Sequence, residues 1–145
     1  MKEYNTHLDQ LIVRAFYWMD DSLQANIRKR GGPKVSHSQS MIIMAIGEGI
    51  RRPSAIADRL GVSRQAIHQS LRELIDIGLV ELVPDPEDGR AKMAKLSRAG
   101  APIQRMAYDI LQELEVELGK RIGKRRVTAL RDALEINWGE PALLD

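Results

Sequence analysis

Five polar side chains gather on one side of the helix that the apolar spacing predicts between Ser63 and Asp76: Arg64, Gln65, His68, Gln69 and Arg72. Positions separated by one, four, five and eight residues lie in adjacent rows of an α-helix. An arginine fork pairs with the O6 and N7 edge of guanine, and a glutamine amide pairs with the N6 and N7 edge of adenine. His68 suits a base edge or a phosphate, and Arg72, deeper in the helix, suits a phosphate that positions the element. No acid interrupts the set, since Glu73 and Asp76 come late, away from the entering end. Ile67, Leu71, Leu74 and Ile75 fill the opposite face, as an amphipathic helix requires. A lone helix with such a face is ordinarily just solvated, so the neighbouring elements decide what the face is for.

Those elements are specific. Ser63 is a strong N-cap for the polar helix. Before it, Pro53 opens a short helix over Ser54–Leu60, and Gly61 closes that helix with Val62 as its apolar companion. The three-residue turn Gly61-Val62-Ser63 sets two helices at the steep angle of a helix-turn-helix. Leu79–Val83 reads as a strand, Pro84–Gly89 is dense in turn formers, and Ala91–Leu96 alternates polar and apolar. Together they predict a hairpin with its tip near Asp85–Arg90, where Arg90 and Lys92 add charge. Upstream, Ser36 and Gln39 form a capping box. The helix they open is apolar on every side from Met41 to Ile46, so burial is expected.

Long helices flank this unit. From Tyr4 to about Arg28 apolar residues recur at steps of three and four, and Arg28-Lys29-Arg30-Gly31-Gly32-Pro33 supplies stop signals. Ser97 is expected to cap a second long helix, with a stripe from Ile103 to Leu118. Pro102 implies either a kink or a start near Ala101. The basic joint Lys120, Arg121, Lys124, Arg125 and Arg126, broken by Gly119 and Gly123, reads as a solvated connection. A last helix over Lys124–Asn137 is expected to turn Val127, Leu130 and Leu134 inward. The fold class is therefore mainly α (α+β): a winged helix-turn-helix between long N- and C-terminal helices.

The 145 residues suffice for one ordinary domain, and 43% hydrophobic content excludes wholesale disorder. There is no cysteine, hence no disulfide, thiolate metal site or thiol nucleophile. The first ten residues lack the apolar stretch of a secretory signal, and Met41–Ile46, the longest apolar run, is far too short to span a bilayer. A cytoplasmic protein is expected. His7, His37 and His68 lack companions at ligand spacing, so no metal and no other cofactor is expected. No Ser-His-Asp order, phosphate loop or paired-carboxylate cleft points to an enzyme. From Arg51 to Arg98 nine basic residues face seven acidic ones, an excess of two equal to the net charge of the whole chain.

The run Arg52–Ile67, then Gly78-Leu79-Val80-Glu81, then Pro84-Asp85-Pro86-Glu87-Asp88-Gly89-Arg90, then Leu96-Ser97-Arg98-Ala99-Gly100, resembles the MarR family of bacterial transcription regulators. The wing with Asp88 and Arg90 is its most specific part, and the flanking helices match in number and order. The resemblance implies a homodimer joined through residues 1–35 and 98–145, with residues 36–97 as the DNA-binding unit. It implies a sequence-specific regulator acting on a palindromic double-stranded operator, a repressor released by a small aromatic ligand. The alternative is a winged helix used only for protein–protein assembly. The DNA contacts it implies are Ser63, Arg64, Gln65, His68, Gln69, Arg72, Arg90 and Lys92, with Arg90 reaching a minor groove whose narrow A·T stretches favour arginine. Asp88 is expected to brace Arg90 or a neighbouring arginine by a charge-assisted hydrogen bond. Phe16, Met19, Met41, Met44 and Met106 are the candidate effector pocket, their other reading being ordinary core. Trp18 and Trp138 are expected at the dimer interface. Where the family often carries a second arginine between the aspartate and arginine of the wing, this chain has Gly89.

Overall fold

A computed structural model describes residues 5–145. Among the described residues there are six helices and one two-stranded sheet: α1 (Leu8–Lys29), α2 (His37–Gly47), α3 (Pro53–Leu60), α4 (Arg64–Asp76), β1 (Val80–Pro84), β2 (Lys92–Leu96), α5 (Ala101–Ile122) and α6 (Lys124–Glu135). The expected start of the first helix at Tyr4 lies outside the described residues.

The larger core belongs to the middle of the chain. Ile42, Ala45 and Ile46 of α2 pack with Ile56 and Ala57 of α3, Ile67, Leu71 and Leu74 of α4, and Leu79, Val80 and Ala94 of the hairpin. Burying each Leu or Ile side chain is worth about 1.5–3 kcal/mol, so this cluster fixes α4 against three other elements. α2 differs from expectation here. Met41 and Met44 are 38% and 44% exposed, because the described chain covers only one face of this helix. Ile75 likewise lies at the surface, while its neighbour Leu74 is fully buried.

The hairpin is antiparallel, with Val80 opposite Leu96, Leu82 opposite Ala94 and Pro84 opposite Lys92. It is stitched to the rest of the unit by main chain: Ala94 N donates to Arg51 O at 2.8 Å and Ser97 N to Leu79 O at 3.0 Å. Ser97 is not the cap of α5. Its hydroxyl donates to Gly78 O and accepts from Gly100 N, closing the turn that precedes the helix. α5 instead begins at Ala101 with Gly100 before it, and Pro102 sits in the first turn, where a missing N–H costs nothing.

A second, smaller core joins α1 to α5: Ile27, Ile110 and Leu114, with Met19, Leu23, Met106, Ala107 and Leu111 against them. Arg30 and Glu113 close its rim at 3.0 Å. α1 meets α2 through His37, whose Nδ1 faces Asp20 Oδ2 and whose Nε2 lies 3.1 Å from Asp21 Oδ1. These carboxylates stand on opposite ring nitrogens and do not converge on one point. α5 runs unbroken through Gly119, so the basic joint breaks only at Gly123, whose φ of +100° no side-chain-bearing residue adopts easily. α6 ends at Glu135, two residues short of Asn137. Leu130 and Leu134 are 45% and 51% exposed: within one chain they do not turn inward but line an open groove of about 880 Å³ shared with α1 and the end of α5.

Candidate nucleic-acid interface

α4 is presented by the turn before it. Gly61 adopts φ +64°, ψ +33°, the left-handed conformation that glycine enters without penalty. Val62 N then reaches back to Ala57 O at 3.1 Å, the reverse-turn bond that ends a helix sharply. One residue later Ser63 Oγ accepts from Ala66 N at 3.1 Å and starts α4. Ile67, Leu71 and Leu74 pin the helix to the core. Arg64, Gln65, His68, Gln69 and Arg72 are all exposed on the other side. The first turn of α4 therefore offers free N–H groups, a positive dipole end and a side-chain set without acids. Such a surface receives anions and base edges.

The deeper part of this face is internally bonded. Arg72 donates to Gln69 Oε1 at 2.6 Å, Gln69 Nε2 donates to Glu73 Oε1 at 3.1 Å, and Gln39 of α2 donates to Glu73 Oε2 at 2.7 Å. Arg64, Gln65 and His68 form no side-chain hydrogen bond among the described residues and are free for a ligand.

The hairpin tip is built around two aspartates. Asp88 Oδ1 accepts from Arg90 N at 3.1 Å, and Ala91 N donates to Asp88 O at 2.9 Å. The bond to Asp88 thus comes from the main chain of Arg90, not from a guanidinium as the sequence suggested. The arginine–carboxylate brace is elsewhere. Arg52, the residue before α3, donates from Nε to Asp85 Oδ2 at 2.6 Å, and Asp85 Oδ1 accepts from Glu87 N at 2.9 Å. Asp85 is almost wholly covered. The Glu87 amide first, and the Arg52 guanidinium next, hold its carboxyl below the ordinary carboxylate value, and the same pairing raises Arg52 further. A depressed carboxyl stabilises the folded hairpin at neutral pH, and that contribution disappears only as pH falls through the lowered value. Amide exchange over residues 85–91 is therefore expected to stay slow until strongly acid pH. Asp85→Asn should exchange fast at neutral pH and lose this acid dependence. Unchanged protection in that variant would contradict the brace.

Sequence reasoning missed Arg52. Thirty-three residues separate it from Asp85, and no local spacing rule reports such a pairing. Lys92, also a candidate contact, starts β2 with its side chain exposed. The five candidate effector residues do not form one site: Phe16 and Met19 line the α1–α5–α6 groove, Met19 and Met106 pack on the smaller core, and Met41 and Met44 lie on the outer face of α2. Trp18 also lines the groove, with Arg121 5.6 Å from its ring, while Trp138 is exposed and donates to Ala133 O at 3.0 Å.

Residues 34–91, the segment that carries α2, α3, α4 and the wing tip, match the model of the MarR family. Over 91% of this chain and 97% of the other, the structure is similar to wild-type apo MarR of Escherichia coli, with a TM-score of 0.69 and 25% identity. The family model and the solved structure thus point the same way: the segment is similar to MarR-family sequence, and the fold is similar to that of MarR. An uncharacterised HTH-type transcriptional regulator of Mycobacterium leprae is 27% identical over 113 residues, 78% of this chain and 79% of its own length. An HTH-type transcriptional regulator of Mycobacterium tuberculosis is 27% identical over 115 residues, with 79% and 80% covered. A mutant E. coli MarR complexed with operator DNA superposes with a TM-score of 0.63 at 25% identity, covering 88% and 91%. The segment matched by the family model is the one that holds the exposed α4 face and the braced wing. No described helix is long and apolar enough to cross a membrane.

Proposed function

We propose that this protein is a cytoplasmic, homodimeric transcriptional repressor of the MarR family that reads a palindromic operator. α4 enters the major groove, which at about 12 Å admits a helix, and the wing carries Arg90 to the adjacent minor groove. The observation that carries this reading is the first two turns of α4: exposed, acid-free, capped by Ser63, and fixed from behind by fully buried Ile67 and Leu71. The operator complex of the E. coli relative supports it. In this reading Arg64, Gln65, His68 and Gln69 face bases, while Arg72, Lys92 and Arg90 meet backbone or minor groove. The apolar groove of α1, α5 and α6 is the surface that a second copy closes.

Gln65 gives the sharpest test, because its amide is unengaged and can pair with one adenine. Gln65→Ala is expected to cost about 1–3 kcal/mol at a single base pair and to leave the other positions discriminated as before. The measurement is a competition of single-base-pair variants of a bound duplex. Unchanged discrimination at every position would show that this face does not read sequence.

A further inference from the structure

The bonds behind α4 have a direction. Ser36 N donates to Gln39 Oε1 at 3.0 Å as part of the capping box of α2, and this fixes which way the Gln39 amide points. Its Nε2 must then face outward, where it donates to Glu73 Oε2 at 2.7 Å. The other Glu73 oxygen accepts from Gln69 Nε2 at 3.1 Å, so Gln69 Oε1 is left to accept from Arg72 at 2.6 Å. Turning the Gln69 amide over would set an NH₂ against a guanidinium and an oxygen against a carboxylate. The chain of four bonds therefore allows one orientation only. It runs from a buried glutamine in α2 to two exposed side chains on the polar face of α4.

We propose that Glu73 is a specificity-determining positioning residue, which locks the Gln69 amide and, through it, the Arg72 guanidinium for DNA recognition. This rests on the DNA-binding reading above and deepens it. After the lock is made, Gln69 keeps a second N–H on Nε2 and a second lone pair on Oε1. Those are the donor and the acceptor that an adenine edge requires. Fixing the amide beforehand removes the rotamer entropy that a mobile side chain loses on binding. Arg72 is fixed by the same bond, so its phosphate contact and the base contact of Gln69 are set in register. Glu73 lies late in α4, so its charge reads at first as an electrostatic burden near DNA. The bonds give it a second role, opposite in sign for specificity.

Glu73→Gln separates the two roles. The glutamine is nearly the same shape and the site is exposed, so the fold should persist, which circular dichroism and thermal melting check. An amide at position 73 has one oxygen and one NH₂ to offer to two incoming NH₂ groups, so the polarity of the chain is broken. Duplexes selected by the wild-type protein from a random pool, and their single-base-pair variants, are the probes. E73Q is expected to lower discrimination about tenfold at one base pair, the one at which Gln69→Ala also loses discrimination. It should leave the other positions, the affinity for random duplex and the salt slope undiminished. In the Gln69→Ala background, E73Q should change that base pair no further.

Retained discrimination at the Gln69 base pair in E73Q would overturn the proposal. So would a uniform change at all positions, which is the signature of charge alone, or a Gln69→Ala variant that loses nothing. A wild-type protein that selects no sequence at all would defeat the underlying DNA-binding reading as well, so the two failures are distinguishable.

Discussion

Leu130→Glu is expected to turn the protein into a monomer at micromolar concentration and to abolish high-affinity binding to a two-half-site operator. Val127, Leu130 and Leu134 occupy one face of α6 at steps of three and four, opposite Leu8, Leu11 and Ile12 of α1 and Leu118 and Ile122 of α5. Within one chain this face is uncovered: Leu8 is 67% exposed, with Leu130 and Leu134 close to half exposed. Monomeric proteins seldom leave so continuous an apolar surface to water, and a two-fold arrangement is the simplest assembly that closes it. The rim carries Arg14, Glu115, Arg121, Arg131 and Glu135, of which Arg131 already bonds Glu115 and Glu135. A polar rim around an apolar centre is the ordinary anatomy of an interface. Each copy of Leu130 buried there would contribute about 1.5–3 kcal/mol, and symmetry counts it twice. The dimer dissociation constant should therefore rise at least a hundredfold. Because Leu130 supports no core within its own chain, helicity and melting of the winged unit should hardly change. Sedimentation at micromolar concentration decides, and a variant that stays dimeric would show that this groove is not the interface.

The second large effect is at the wing. Arg90 is exposed at the hairpin tip and makes no ion pair among the described residues, so its full charge is available. Arg90→Ala should weaken binding to every sequence, because a contact driven by phosphate potential carries little base information. A hydrogen bond to a charged group is worth about 1.5–3 kcal/mol, so each wing should lose tenfold or more. The slope of log K against log salt should fall by about one per wing and about two per dimer. Asp88→Ala sharpens the test. Removing a negative charge ought to tighten binding if the wing were only an electrostatic contact. The Asp88 side chain instead holds the Arg90 amide at 3.1 Å, so its loss is expected to loosen the turn that carries Arg90 and to weaken binding. Tighter binding by Asp88→Ala, with a steeper salt slope, would contradict a structural role for the aspartate.

What could be read in the sequence was what local chemistry determines. The Gly61-Val62-Ser63 turn and the Ser36–Gln39 capping box each report their geometry within four or five residues and stand as expected, and the Ala91–Leu96 run does hold a strand, Lys92–Leu96, although its burial does not alternate. The exposed α4 face followed from periodicity alone. Pairings across long separations were not legible. Arg52 meets Asp85, and Gln39 meets Glu73 across thirty-four residues, only because α2, α3 and the hairpin pack on one core. Ser97 looked like a cap because serine before an apolar stripe usually is one. Its oxygen does accept an amide, that of Gly100, but this closes the turn before α5, while its hydrogen goes to Gly78 O, brought close by the hairpin. The stripes of α2 and α6 announced burial without naming the partner. One chain covers Ile42 and Ile46 but leaves Met44 and Leu134 to water.

The central claim is that a dimer reads sequence through the N-terminal face of α4. Its most direct test is selection from a fully random duplex pool by the purified full-length protein at fixed salt, followed by sequencing of the retained duplexes. The expected result is an inverted repeat whose half-site centres lie about 10–10.5 base pairs apart, or a multiple of that spacing. It should be bound at least about a thousandfold more tightly than random duplex, and the repeat should disappear from pools selected with Arg64→Ala/Gln65→Ala. Retained duplexes with no enriched motif, or the same repeat selected by the double variant, would contradict it.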